Sequence, residues 1–314
     1  MSEKQDRYCP SLCLINILED RVYCEGEKTL KENNKNPRLD VQMSWWGMSG
    51  LAATVERSAQ EQVEMIAEAG FDGINGFIPA PQDEDTWRRL LERHQLSFSV
   101  NAYPKTSEDM EQFLKRAKEY GGIQHINVQV MTPFLIDEPA VQLLRSIDVL
   151  SREAGIPTYI ETHHGTITQD LLRTIDYIKA LDTLRLTIDL SHYVVAGELH
   201  TISDEAEQFI QTVLTRSSAF HARVSNGEQV QVDVGKTGEH PMMRHFERWW
   251  SDGMNNWRSG AVEGAVLPFV VELGPPSYAI TTDEYAGRTN EISDRWEQSL
   301  FFLNTARRLW EKTR

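Results

Sequence analysis

From residue 41 onward the chain alternates short β-type runs with amphipathic helical stretches, eight times over. Strands separated by helix-sized segments cannot pair as hairpins. Each crossover carries the chain back to the same edge of the sheet, so successive strands run parallel. The runs are residues 41–46, 73–78, 96–102, 125–131, 157–161, 184–189, 218–221 and 268–272. Eight such units predict an α/β fold closed as a (β/α)8 TIM barrel, with all strands ending at one rim. The helical stretches carry their own punctuation. Ser58 and Glu61 have capping-box spacing ahead of Val63, Ile66 and Ala67, and Gly70 stops that run. After Ser107, the residues Met110, Phe113, Leu114, Ala117 and Tyr120 share one helical face before Gly121 and Gly122. Similar faces follow Glu138, Thr168 and Asp204, and 295–310 reads as the closing helix.

Residues 1–40 stand outside the pattern and read as an N-terminal arm, with a polar connector at 28–40, leaving 41–314 as the barrel domain. The stretch 225–266 has little strand signal and predicts an enlarged loop after the seventh strand, with a short helix near 242–250. Trp249, Trp250 and Trp257 fall there, where a lid over a site or a homo-oligomer contact would bury them.

Of the 314 residues, 40% are hydrophobic and 25% charged, the balance of a globular chain with a large core. No apolar run approaches a membrane span, and the polar N-terminus leads into no signal-peptide core, so the cytoplasm is the expected location. The net charge of −15 repels phosphate backbones, and no basic stripe offsets it, which argues against a nucleic-acid partner. Cys9, Cys13 and Cys24 are odd in number and match no strong zinc spacing, so neither a disulfide framework nor a metal clip is expected.

Glu161, Asp189, His221 and Glu272 close the last four β-type runs, at separations of 28, 32 and 51 residues. That is the spacing of βα units rather than of a chelating loop, so only barrel closure would bring them together. At the rim, three carboxylates and an imidazole could hold one divalent cation, and such donors suit Mn, Mg, Co or Zn. Any one of them alone could equally cap a helix or pair with an arginine. His192, three residues after Asp189, could orient a substrate hydroxyl, bind a second metal or brace a loop. His163 is a substrate-contact candidate, whereas His164 reads as structural. Arg223 offers a fixed charge or an ordinary ion pair. Trp45, Trp46 and Phe77 stand near early strand ends, where rings stack on sugars or pack in cores. The turn at Gly274, Pro275 and Pro276 stiffens the chain after Glu272 and brings Tyr278 within reach.

Glu161, Asp189-x-x-His192, His221-x-Arg223 and Glu272, in that order across residues 41–310, resemble the xylose-isomerase-like TIM barrels. That superfamily includes sugar isomerases, sugar epimerases and the endonuclease IV branch. Gln231-Val, Arg248-Trp-Trp and the segment from Glu272 to Tyr278 fit the same resemblance. It implies one divalent metal ion on Glu161, Asp189, His221 and Glu272. It also implies proton exchange by Glu161 and Glu272 with a keto sugar through a metal-stabilised enediolate. His192 and Arg223 join the expected catalytic groups, with His163, Trp46, Gln231 and Tyr278 as substrate contacts. The expected activity is isomerisation or epimerisation of a small sugar or related polyhydroxy carbonyl compound. A dehydratase or lyase begun by the same proton abstraction, and a barrel that only binds carbohydrate, are the alternatives. The endonuclease branch needs histidines at earlier strand ends, where this chain has Asn75, Asn101 and Gln129, and Asp233 alone does not complete its metal cluster.

Overall fold

The computed structural model describes residues 36–51, 56–283 and 287–313, which belong to one compact unit. Cys9, Cys13, Cys24 and nearly all of the expected arm lie outside the described residues. Eight parallel strands close in chain order: β1 (Arg38–Ser44), β2 (Gly73–Gly76), β3 (Ser97–Ala102), β4 (Ile126–Val128), β5 (Thr158–Glu161), β6 (Leu186–Ile188), β7 (Ser217–Ala222) and β8 (Val266–Val271). The ring is sealed by β1 and β8, paired from Arg38 with Val266 through Met43 with Val271. This pairing starts β1 three residues earlier than the local pattern suggests and ends it before Trp46, which lies in a 3-10 turn, Trp46–Met48.

Around the barrel run α1 (Ala59–Glu68), α2 (Glu84–His94), α3 (Ser107–Tyr120), α4 (Asp137–Ala154), α5 (Leu171–Ala180), α6 (Ser191–Ala196), α7 (Asp204–Leu214), α8 (Met243–Ser259) and α9 (Arg295–Lys312). Helix α1 begins in the expected box, with Ser58 accepting from the Glu61 amide and Glu61 answering. A second box, Thr106 with Asp109, starts α3. The sequence pattern does not single out α2, because Leu90 and Leu91 are its only fully buried residues and the rest of its surface is strongly polar.

Strand side chains alternate between helix layer and barrel interior. Val41, Met43, Val100, Val128, Ile188, Phe220 and Val271 pack outward and are buried beneath the helices. The enlarged loop expected after β7 is present at 223–242, but the helix that follows it is longer than the short one expected near 242–250. Helix α8 is 17 residues long and belongs to the barrel wall rather than to a loop. Trp249 and Trp250 are wholly buried, and Trp250 meets Phe269 of β8 and Phe302 of α9 edge-on, with centroids 5.5 and 5.7 Å apart. They are core residues, neither lid nor subunit contact, because their ring faces are already filled. Gly253 lets α8 lie close against β7: a Cβ there would lie 2.6 Å from the Phe220 ring.

A candidate metal and substrate site at the strand C-termini

The inward positions of this barrel are unusually polar. Glu161 ends β5, Asp189 follows β6, His221 lies in β7 with Arg223 just beyond it, and Glu272 follows β8. Closure carries all five to one rim, where they are almost fully buried. His221 Nδ1 lies 3.0 Å from Glu272 Oε2 and 3.5 Å from Glu161 Oε1. Arg223 Nη2 donates to Glu272 Oε2 at 2.6 Å, and its Nε donates to the Glu272 carbonyl at 2.9 Å. Asp189 stands to one side: Oδ1 accepts from the amide and hydroxyl of Ser191, and Oδ2 faces Arg223 Nη1 at 3.4 Å.

Ligand atoms of Glu161, His221 and Glu272 all lie within 4.8 Å of one another. Glu161 Oε1 and Asp189 Oδ2 are buried and accept no hydrogen bond. Buried carboxylate oxygens are costly without a partner, and an oxygen-rich set with one imidazole fits a hard or borderline divalent cation. Glu161, His163 and His192 form a second such triplet. A cation there would face the Arg223 guanidinium, whose Nη1 is 3.1 Å from His192 Nε2.

The charges are strongly coupled by low dielectric. Burial disfavours the His221 imidazolium, but Glu272 and Glu161 outweigh it and raise its pKa to about 10. Burial also pushes Glu161 upward, and the neighbouring His221 reverses this to leave it below the usual carboxylate range. Asp189 is raised to about 6, chiefly by burial, with Arg223 opposing and Glu272 and Glu161 reinforcing.

The three nearby histidines have assignable proton positions. Arginine can only donate, so His192 Nε2 accepts from Arg223 and its proton sits on Nδ1. That proton points at His164 Nδ1, 2.9 Å away. His163 Nδ1 donates to the His164 carbonyl at 2.5 Å, leaving Nε2 to accept from the Tyr278 hydroxyl at 3.3 Å. Burial and the surrounding positive charge hold His192 well below the ordinary imidazole value, and burial with His163 takes His164 to about 4.

Above these groups opens a cavity of about 370 Å³ lined by Trp46, Phe77, Asn101, Tyr103, Gln129, His163, Arg223, Glu272 and Tyr278. Trp46 and Tyr278 meet edge-on at 5.1 Å, and the Arg223 guanidinium lies 4.7 Å from the Tyr278 ring centre.

The family model for xylose isomerase-like TIM barrels matches residues 63–259. This chain belongs to that family. Among solved structures it is similar to a xylose isomerase-like TIM barrel protein from Mycobacterium smegmatis in complex with magnesium, at 14% identity and TM-score 0.54, covering 86% of this chain and 97% of that one. It is similar to the probable 3-DHS dehydratase AsbF of Bacillus anthracis, at 13% identity and TM-score 0.54, over 85% and 99% of the two chains. It is also similar to D-allulose 3-epimerase from Methylomonas sp. in complex with D-allulose, at 11% identity and TM-score 0.52, over 88% and 98%. At such identities the likeness shows the fold. Comparison with curated protein sequences finds no match.

Within this xylose isomerase-like barrel, closure brings ligand atoms of Glu161, His221 and Glu272 together, while Asp189, the fourth predicted ligand, faces Arg223 beside them, and His163, Trp46 and Tyr278 line the cavity. Gln231 stands elsewhere. Its amide donates to the Gly274 carbonyl at 3.0 Å and accepts from the Gly274 amide at 2.7 Å, so both its polar ends brace the turn after Glu272. His192 is fully buried and is not a lining residue, touching Arg223 and the other histidines instead. Sequence reasoning passed over Asn127, and it read Asn101 and Gln129 only as missing histidines. Yet Asn127 and Gln129 donate to Glu161 Oε2 at 2.5 and 2.9 Å. The signal was there: Asn101 in β3, Asn127 in β4 and Gln129 two residues further on, where barrel interiors normally carry branched apolar residues.

Proposed function

We propose that this chain is a divalent-metal-dependent isomerase or epimerase acting on a small sugar or related polyhydroxy carbonyl compound. One observation carries the reading: Glu161, His221 and Glu272 present mutually close ligand atoms beside an open cavity, and Glu161 keeps a buried oxygen without a hydrogen bond. Glu161, Asp189, His221 and Glu272 would hold the ion. When bound, it would supply Lewis-acid stabilisation of negative charge developing on substrate oxygens.

The protein's own groups do the rest. Glu272 reaches the cavity wall and takes the proton from carbon beside the carbonyl; Glu161, three strands away, serves the opposite face. Arg223 fixes Glu272 through both its side chain and its carbonyl. His163, its tautomer set by the His164 carbonyl, meets a substrate hydroxyl, while Trp46 and Tyr278 cover the ring face and keep water out.

The test is to incubate a panel of sugars and polyols with Mn²⁺-loaded protein in D₂O and follow deuterium wash-in by NMR. The expected result is exchange at one carbon of one substrate, reduced at least about 100-fold by Glu272→Gln. Loss of water from the substrate would mark a dehydratase instead. Undiminished exchange in Glu272→Gln removes that residue from the chemistry, and no exchange on any compound defeats the proposal.

A further inference from the structure

Along β1–β4 the barrel interior carries a hydrogen-bonded ladder rather than apolar layers. Asp40, Gln42, Asn75, Ser99, Asn101 and Asn127 come from four consecutive strands and are all at most 6% exposed. Asn127 donates to Asn101 at 3.1 Å, Asn101 to Asn75 at 2.9 Å, and Asn75 to Ser99 at 2.9 Å. Ser99 donates to Gln42 at 2.5 Å, and Gln42 donates to Asp40 at 3.0 Å.

The direction of each bond is forced. A carboxylate only accepts, so Asp40 turns the nitrogen of Gln42 toward itself and leaves the Gln42 oxygen for Ser99. At the far end Glu161 turns the nitrogen of Asn127 toward itself, and the second hydrogen of that nitrogen reaches Asn101. Assignments propagated from the two acidic ends agree in the middle, so no amide along the ladder can flip without breaking two bonds.

The upper end of the ladder meets the candidate metal site. Glu161 Oε2 accepts from both Asn127 and Gln129, whereas Oε1 accepts from nothing and faces His221 Nδ1. Two donors on one oxygen stop the carboxylate from turning and dedicate the other oxygen to the site. We infer that Asn127 and Gln129 are positioning residues for Glu161, and that the ladder running to Asp40 holds the Asn127 amide in register. The consequence for metal affinity rests on the metal reading proposed above; the positioning itself does not.

Two measurements on the full chain separate these. Titration calorimetry with Mn²⁺ alone should show Asn127→Leu and Gln129→Leu binding about 10–100-fold more weakly, the range for lost outer hydrogen bonds to a ligand. Ser99→Ala should weaken binding by a smaller factor, and Ser99→Thr, which keeps the hydroxyl, should restore it. Circular dichroism identifies any variant that fails to fold; Gln129, only half-buried, provides the variant least exposed to that outcome. Unchanged Mn²⁺ affinity in folded Asn127→Leu and Gln129→Leu overturns the inference. Side-chain amide NMR supplies the second arm. The Asn127 and Gln129 NH₂ protons should exchange slowly with solvent in the parent and rapidly in Glu161→Ala. Should the parent take up no Mn²⁺, the metal reading fails, and amide protons that exchange rapidly in the parent, or equally slowly in both proteins, overturn the positioning role too.

Discussion

Arg295→Met tests how the site wall is held. Arg295 opens α9 and is 2% exposed, with Nε donating to Glu291 at 2.7 Å, Nη1 to the Gly47 carbonyl at 2.5 Å and Nη2 to the Ser49 carbonyl at 2.7 Å. Those carbonyls belong to the turn that carries Trp46, so one guanidinium ties the closing helix to the cavity wall. Methionine keeps much of the stem volume but leaves a carboxylate and two carbonyls without their donor. Breaking a buried ion pair costs about 3–5 kcal/mol, and the Glu291 side chain, 14% exposed, recovers some hydration. The expected loss is therefore about 3–4 kcal/mol, read from urea unfolding by circular dichroism. At roughly 2–4 °C per kcal/mol, the melting temperature should fall by about 6–16 °C. Arg295→Lys, a point charge with a shorter reach, should lose about half as much. A loss below about 1 kcal/mol for Arg295→Met would show that desolvation of the guanidinium cancels its contacts, and the clasp would be no clasp.

Glu207 of α7 accepts from Arg248 at 2.5 and 2.7 Å and from the Trp249 indole at 3.0 Å, and the Arg248 bond above all lowers its pKa from 4.5 to about 2. A depressed folded pKa stabilises above pH 4.5 and loses that contribution as pH falls toward 2. Glu207→Gln should cost about 1 kcal/mol at pH 7, discounted because Arg248 is 44% exposed, and less at pH 3; equal gaps in urea midpoints at both pH values contradict this. In Gly73→Ala a Cβ would lie 1.9 Å from Ser97 Oγ and 2.7 Å from its carbonyl, so overpacking should destabilise by about 1–3 kcal/mol, and an unaltered melting curve would refute it. Saturating Mn²⁺, at about 100 times its Kd, should add about 2.7 kcal/mol reversibly with EDTA, and no shift would count against the metal reading.

The repeat of β-type and helical runs was readable because each depends on local spacing and capping. Ser58 with Glu61, and the apolar face of α3, needed only their own helix. Strand ends were less legible. Arg38 joins β1 because Val266 pairs with it from the far end of the chain, which no local composition records. Trp249 and Trp250 were misplaced for a similar reason, since what covers them is Phe269 and Phe302 rather than anything nearby in sequence.

The primary structure alone determined the fold class and the four strand-end positions Glu161, Asp189, His221 and Glu272, because residue type and βα spacing are both written linearly. Only closure decided their partners. It set Arg223 between Asp189 and Glu272, turned Gln231 onto Gly274, and led Asn127 to one oxygen of Glu161. The physical reason is directional: a hydrogen bond depends on where a donor points in three dimensions, and neighbouring strands bring together side chains some 24 to 51 residues apart.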